Sequence, residues 1–172
     1  MGARLFLVSH KESIMAKSHH GTTFSDLSDS RLIKHALRCL EKRLCYGQEV
    51  LSNSNDVCSY LQLHLAQEKN EVFAVLFLNN RHCLIAFEKL FFGTINEATI
   101  YPRVILQKAL EHNATAIILA HNHPSNHCFP SIADQNITQK LRDGLKIFDI
   151  DVLDHIIVSH QECYSFAKHA LM

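Results

Sequence analysis

The chain contains few glycines and prolines, the residues that are abundant in chains without a packed core. Of its 172 residues only five are glycine and three are proline, which excludes collagen-like, linker-like and disordered classes. Hydrophobic residues make up 47%, and a chain of this length buries roughly two-thirds or more of its unfolded surface as one domain. Residues 1–25 carry little periodic signal and are predicted to form a poorly ordered arm, so the single domain is expected over 26–172.

The chain also has a formal net charge of zero at pH 7. The 17 Lys and Arg residues balance 17 Asp and Glu residues, which disfavours a broad surface for nucleic acid or anionic lipid and leaves only a local basic patch open. No apolar run reaches the roughly 18 residues of a membrane span. The apolar start at Leu5–Val8 is too short for a secretory signal. We therefore expect no membrane partner and a cytoplasmic protein.

A cysteine motif is also absent. The six cysteines form no C-x-x-C pair, so neither a zinc ribbon nor a thioredoxin-type redox motif is indicated. Reduced thiols in a cytoplasm are the simplest interpretation. Most of the cysteines are expected to be small core residues.

Hydrophobic periodicity predicts an alternation of helices and strands. Helices are predicted from Ser28, after Asn55, from Pro102 to about His112, and from Ser131 to about Phe148. Strands are predicted over 71–78, 83–91, 115–120, 150–158 and 162–166, with the first two joined as a hairpin. This order predicts an α/β sandwich around a mixed sheet, with a helical lead-in at 26–68 and a core at 69–172.

The chain has 13 histidines, more than packing needs, and two of them follow a predicted strand. His121 and His123 are spaced i and i+2 in extended chain, so their side chains project to the same side. Asp134 lies one turn into the next helix, and the intervening loop can fold back to bring its carboxylate to the histidines. Two imidazoles and one carboxylate suit Zn²⁺ and leave a fourth position for water, which such a site acidifies towards neutral pH.

A hydrolytic zinc site also needs a general base, and the candidates are Glu71, Glu88 and Glu97. Glu71 is preferred because it stands at the start of the first core strand. It meets His121 at one edge of the sheet if that strand runs antiparallel to 115–120. Glu88 falls inside a strand and Glu97 in a polar turn, so either can equally be a surface charge.

Several of these residues together resemble the JAMM motif of MPN-type zinc metallopeptidases, and within that group the RadC-like bacterial proteins. The motif comprises Glu71, His121-x-His123-Pro124, Ser131 and Asp134. The resemblance runs from about Asn55 to Leu171 and includes segments 92–96, 101–103, 113–116 and 152–158. It implies a three-layer α/β/α sandwich with a cytidine-deaminase-like fold, a zinc ion, and hydrolysis of an amide bond in a peptide or protein substrate.

The resemblance also implies a role for each residue of the motif. His121, His123 and Asp134 would bind zinc. Glu71 would accept a proton from the attacking water and return it to the leaving amine. Ser131 would donate a hydrogen bond towards the developing oxyanion. Ser131 and Asp134 are equally typical of a capping box at a helix start, and Asp134 can fill both roles.

The loop after the histidines departs from the RadC-like pattern. Asn126 replaces the usual glycine, and asparagine is the non-glycine residue that best tolerates positive φ. His127 and Cys128 stand where small or acidic residues are typical, and we hypothesise that Cys128 enters the fourth zinc position and displaces water. Elsewhere, the adjacent Asp154 and His155 are expected to be a buried, hydrogen-bonded pair or a support for the ligands rather than a catalytic dyad.

The leading function is therefore a zinc-dependent hydrolase of peptide or isopeptide bonds. The alternative is a non-enzymatic module, associated with DNA repair or with protein binding, whose zinc site is structural or inhibited; weak nucleic-acid association belongs to this alternative. A zinc nucleobase deaminase shares the implied fold, but its P-C-x-x-C signature is absent. The sequence indicates neither a particular substrate nor an oligomeric state.

Overall fold

The chain forms a five-stranded mixed sheet flanked by helices, seen in a computed structural model that describes residues 29–45, 54–93 and 100–172. The predicted arm at 1–25 and the candidate Glu97 lie outside the described residues. The helices are α1 (Asp29–Cys45), α2 (Ser54–Leu65), α3 (Pro102–Glu111) and α4 (Ile132–Lys146). The strands are β1 (Val72–Leu78), β2 (Leu84–Phe92), β3 (Ala116–Asn122), β4 (Asp151–Val158) and β5 (Cys163–Ser165), followed by a 3₁₀ turn at Ala167–His169. The order agrees with the sequence prediction.

β1 and β3 are neighbouring inner strands of the sheet. The strand order is β2-β1-β3-β4-β5, and β3 with β4 is the parallel pair among four neighbouring pairs. Every residue of β1 and β3 is buried, as expected when helices cover both faces of a sheet.

Alternating residues of the central strands enter two separate cores. Leu76 and Leu78 of β1 pack on the face covered by α1 and α2. Phe73 and Phe77 of the same strand pack on the opposite face, where residues of α3 and α4 complete the core. Two cores on the two faces of one sheet make the three layers that the resemblance implied. None of the helices within the described residues is long and apolar enough to span a bilayer.

A short polar turn joins β1 to β2 as the predicted hairpin. The Asn79 side-chain oxygen accepts from the backbone N–H groups of Arg81 at 2.9 Å and Cys83 at 3.0 Å. His82 takes a positive φ of 54°. An asparagine that bonds its own turn in this way replaces backbone contacts that the tight bend prevents.

The expectation of reduced thiols is wrong for one pair of cysteines. Cys58 of α2 and Cys163 of β5 form a disulfide with Cα atoms 6.1 Å apart and a sequence separation of 105 residues. That Cα separation is ordinary for a disulfide. Cys83 and Cys128, which do not take part in this disulfide, are buried, as expected, whereas Cys39 is exposed.

Candidate metal centre

Antiparallel pairing of β1 and β3 brings the predicted base to the predicted ligands. Phe73 pairs with His121, so Glu71, two residues before Phe73, lies beside the end of β3. One detail of the prediction is wrong: β3 continues to Asn122, so His121 lies within the strand rather than after it. The strand is longer because β4 runs alongside it as far as the pair Asn122 and Val158.

Four side chains form a cluster of ligand type, which we call the metal group: Glu71, His121, His123 and Asp134. One ligand atom from each lies within 4.8 Å of all the others. Cys128 and His127 are not members. The cluster is therefore the set that the sequence predicted, with the preferred base included.

The separations between donor atoms fit a small cation. The Nε2 atoms of His121 and His123 lie 3.0 Å apart. Asp134 Oδ1 is 3.3 Å from Nε2 of His121, and Oδ2 is 3.8 Å from Nε2 of His123. In a tetrahedral site with metal–nitrogen bonds of about 2.0–2.1 Å, neighbouring ligands are about 3.3 Å apart. These three residues therefore match the geometry of a zinc-sized ion.

Each histidine is oriented through its other ring nitrogen. Nδ1 of His123 donates to the backbone carbonyl of His127 at 2.6 Å, and Nδ1 of His121 lies 2.8 Å from Nε2 of His155. Contacts of this kind fix ring orientation at metal sites. Burial, together with the nearby His123, lowers the pKa of His121, although the Asp134 carboxylate opposes this shift. A neutral imidazole is the form that binds metal.

Asp134 caps its helix and faces the histidines at the same time. Its backbone N–H donates to Ser131 Oγ at 3.1 Å, and the Ser131 backbone N–H donates to Asp134 Oδ2 at 2.8 Å, which completes a capping box. The Ser131 hydroxyl also donates to Oδ2 at 2.6 Å. The capping-box interpretation of Asp134 is therefore confirmed, its carboxylate also lies beside the two histidines, and the contacts of Ser131 are those of an N-cap.

Glu71 lies where the site opens to solvent. Burial raises the pKa of the Glu71 carboxyl, attraction by His123 lowers it, and the Asp134 carboxylate raises it again, with a net shift upwards. A divalent cation in the metal group would oppose that rise. Glu71 also borders a cleft on the protein surface. The residues that line the cleft are Lys69, Asn70, Glu71, His123, Pro124 and Ser125.

The other candidate base is placed elsewhere. Glu88 of β2 is hydrogen-bonded at 2.6 Å to His112, the C-cap residue of α3, and forms an ion pair at 3.7 Å with Lys108 of α3. These contacts make Glu88 part of a surface charge cluster, as its second interpretation anticipated.

The hypothesis that Cys128 fills a ligand position is not supported by its surroundings. Its thiol donates to the backbone carbonyl of Glu162 at 3.3 Å, and it packs in a small core with Ile157 and Phe166. The side chain of His127 is exposed, and the contribution of this residue is the carbonyl that holds His123. Asn126 takes a positive φ of 61°, as its replacement of glycine required.

Sequence reasoning missed two residues that support the site. Asn122, between the two histidines, is buried; its Oδ1 accepts from the Val72 backbone N–H at 2.8 Å, and its Nδ2 donates to the Asn70 carbonyl at 3.1 Å. Thr138 of α4 contacts His155 from the side opposite His121. A polar residue between two candidate ligands was a signal for the first. Nothing in the local sequence distinguished the second.

A three-layer α/β/α fold that carries a glutamate, an H-x-H pair and a helix-borne aspartate at the ends of two inner strands of the sheet defines a JAB or MPN-type domain. The RadC-like JAB domain family matches residues 51–171, and the chain belongs to that family.

Relatives with high identity extend this match over most of the chain. UPF0758 protein YkfG of Escherichia coli (strain K12) is 46% identical over 144 residues, which cover 84% of this chain and 91% of the relative. A UPF0758 protein of Vibrio cholerae is 46% identical over 140 residues, covering 81% and 87%. UPF0758 protein RSc2444 of Ralstonia nicotianae is 48% identical over 141 residues, covering 82% of this chain but 62% of the relative. The chain thus spans less than two thirds of the Ralstonia protein.

Proposed function

We propose that the chain is a zinc-dependent hydrolase of peptide or isopeptide bonds. The observation that carries this proposal is the position of Glu71, a carboxylate beside a three-residue ligand set and at the border of an open cleft. Structural zinc sites close with four protein ligands, whereas catalytic sites keep three and an open position. His121, His123 and Asp134 supply three ligands, which leaves Glu71 free to act on a proton.

The roles of the residues follow from their placement. Bound zinc would acidify a water and polarise the scissile carbonyl. Glu71 takes the proton of the attacking water at its carboxylate and delivers it to the nitrogen of the leaving amine. Ser131 is proposed to turn its hydroxyl from Asp134 towards the oxyanion.

Zinc content and peptide cleavage, measured together on the full chain, test this proposal. Glu71→Gln should retain zinc and lower kcat about 100-fold or more, because an amide cannot accept the proton. His123→Ala should lose both zinc and activity. Glu111→Gln, a matched change at an exposed position of α3, should leave both unchanged.

The outcomes separate the two functions considered for this chain. Unchanged turnover in both Glu71→Gln and His123→Ala would rule out the mechanism. Loss of zinc from Glu71→Gln would indicate that Glu71 is a fourth ligand, and it would favour a structural zinc site in a non-enzymatic protein.

A further inference from the structure

Next to the metal group the fold buries another histidine that the proposed mechanism does not use. His155 of β4 is fully buried, and its ring lies against the rings of Phe73 and Phe166. Its Nε2 is 2.8 Å from Nδ1 of His121, and its Nδ1 is 2.6 Å from Oγ1 of Thr138. Thr138 Oγ1 in turn lies 2.5 Å from the backbone carbonyl oxygen of Asp134. We call this chain of contacts the buried relay.

Counting protons along the buried relay gives it a direction. Thr138 has one hydroxyl proton, which must lie between Oγ1 and the Asp134 carbonyl, because two oxygen lone pairs 2.5 Å apart would repel without it. Thr138 Oγ1 can then only accept from His155, so Nδ1 of His155 carries a proton. Burial among apolar rings favours the neutral form of His155, which has a single N–H.

The direction of the relay determines which nitrogen of His121 carries its proton. Because Nε2 of His155 holds a lone pair, it accepts the Nδ1 proton of His121. The lone pair of His121 is then on Nε2, which faces His123 and Asp134 across the metal group.

We infer that His155 and Thr138 are positioning residues that hold His121 in the Nδ1-protonated tautomer and thereby set the affinity of the site for metal. The relay ends on the backbone of Asp134, so it also ties a ligand on β3 to the helical turn that carries a ligand on α4. The inference rests on the proposed metal site and does not depend on peptide hydrolysis.

Zinc affinity of the full chain, measured by competition with a chromophoric chelator, tests the relay. Thr138→Val keeps the shape of the side chain and removes the hydroxyl, and it should weaken zinc binding about 10–100-fold, the usual effect of losing such a support. Thr138→Ser keeps the hydroxyl and should bind zinc like the wild type. His155→Phe, whose ring fits the same aromatic surroundings, is a second variant and should also bind zinc more weakly.

The tautomer of His121 distinguishes the proposed role of Thr138 and His155 from a merely structural one, because a merely structural role would leave the tautomer unchanged. Long-range ¹H–¹⁵N spectra of the metal-free protein above neutral pH should show a proton on Nδ1 in the wild type and in Thr138→Ser, and a mixture of tautomers in Thr138→Val. A proton on Nε2 in the wild type overturns the inference, as does wild-type zinc affinity in both Thr138→Val and His155→Phe. If the wild type binds no zinc, the metal site itself fails, and the His121 tautomer still decides whether the relay exists.

Discussion

Replacing Asn122 with alanine should separate the placement of Glu71 from the binding of metal. The Asn122 side chain accepts from the backbone of Val72 and donates to the backbone of Asn70, and these two residues flank Glu71 on either side. The side chain therefore holds the stretch of backbone from which Glu71 projects, and it does so through contacts that involve none of the three ligands.

The expected loss of stability follows from these contacts. Alanine leaves the buried N–H of Val72 without the Asn122 acceptor, which costs about 1–3 kcal/mol, and removes the hydrogen bond that the Asn122 side-chain amide donates to the Asn70 carbonyl, which contributes about 1 kcal/mol. The free energy of unfolding should therefore fall by about 2–4 kcal/mol. Zinc affinity should stay close to that of the wild type, whereas kcat should fall, because Glu71 loses its fixed position relative to the ligands.

The assay combines urea denaturation, zinc content and peptide cleavage under conditions in which the variants stay folded. Asn79→Ala is the matched control, because the Asn79 side chain also makes two hydrogen bonds to the backbone, both as an acceptor, but lies beyond the opposite end of β1. Both variants should lose stability, and only Asn122→Ala should lose activity. A wild-type kcat in Asn122→Ala would refute the role given to this side chain. Loss of zinc from the Asn122→Ala variant would refute it as well.

Three further predictions concern the cysteines and one histidine. Cys58→Ser removes the disulfide to Cys163, and because the bridge closes a loop of about 100 residues, the free energy of unfolding should fall by about 4–5 kcal/mol in urea denaturation without reductant; equal stability would contradict this. Cys128→Ser should bind zinc and cleave peptide like the wild type, with or without reductant, since its thiol faces a backbone carbonyl. Burial lowers the pKa of His64 from 6.5 to about 4, so the unfolded chain binds a proton more readily than the folded one. The free energy of unfolding should therefore decrease as the pH is lowered from 6.5 to about 4. His64→Phe should reduce that fall in pH-dependent denaturation, and an unaltered pH profile would count against it.

Much of the fold could be predicted from the sequence because its signals are local. The unbroken apolar run of β1 predicts a strand covered on both faces, and Pro102 predicts the start of α3. Ser131 with Asp134 predicts a capping box that the structure contains. Each of these signals lies within a few residues of the element that it predicts, so no long-range contact was needed to interpret it.

The errors arose where a distant segment decides the local outcome. The extra length of β3 comes from β4, whose Val158 pairs with Asn122 across a parallel ladder. Cys128 was predicted near the metal because it follows His123 closely in sequence. Its thiol instead donates to Glu162, a residue of the turn after β4.

The sequence by itself determined the types and spacing of the candidate ligands and the α/β order that carries them, since these depend on residue identity and on hydrophobic periodicity. The tertiary structure decided which groups come together. The pairing of Phe73 with His121 places Glu71 at the ligands, packing of α4 on the sheet sets Thr138 against His155, and the chain path brings Cys58 to Cys163. Such contacts join residues far apart in the chain, and their geometry depends on the packing of whole elements.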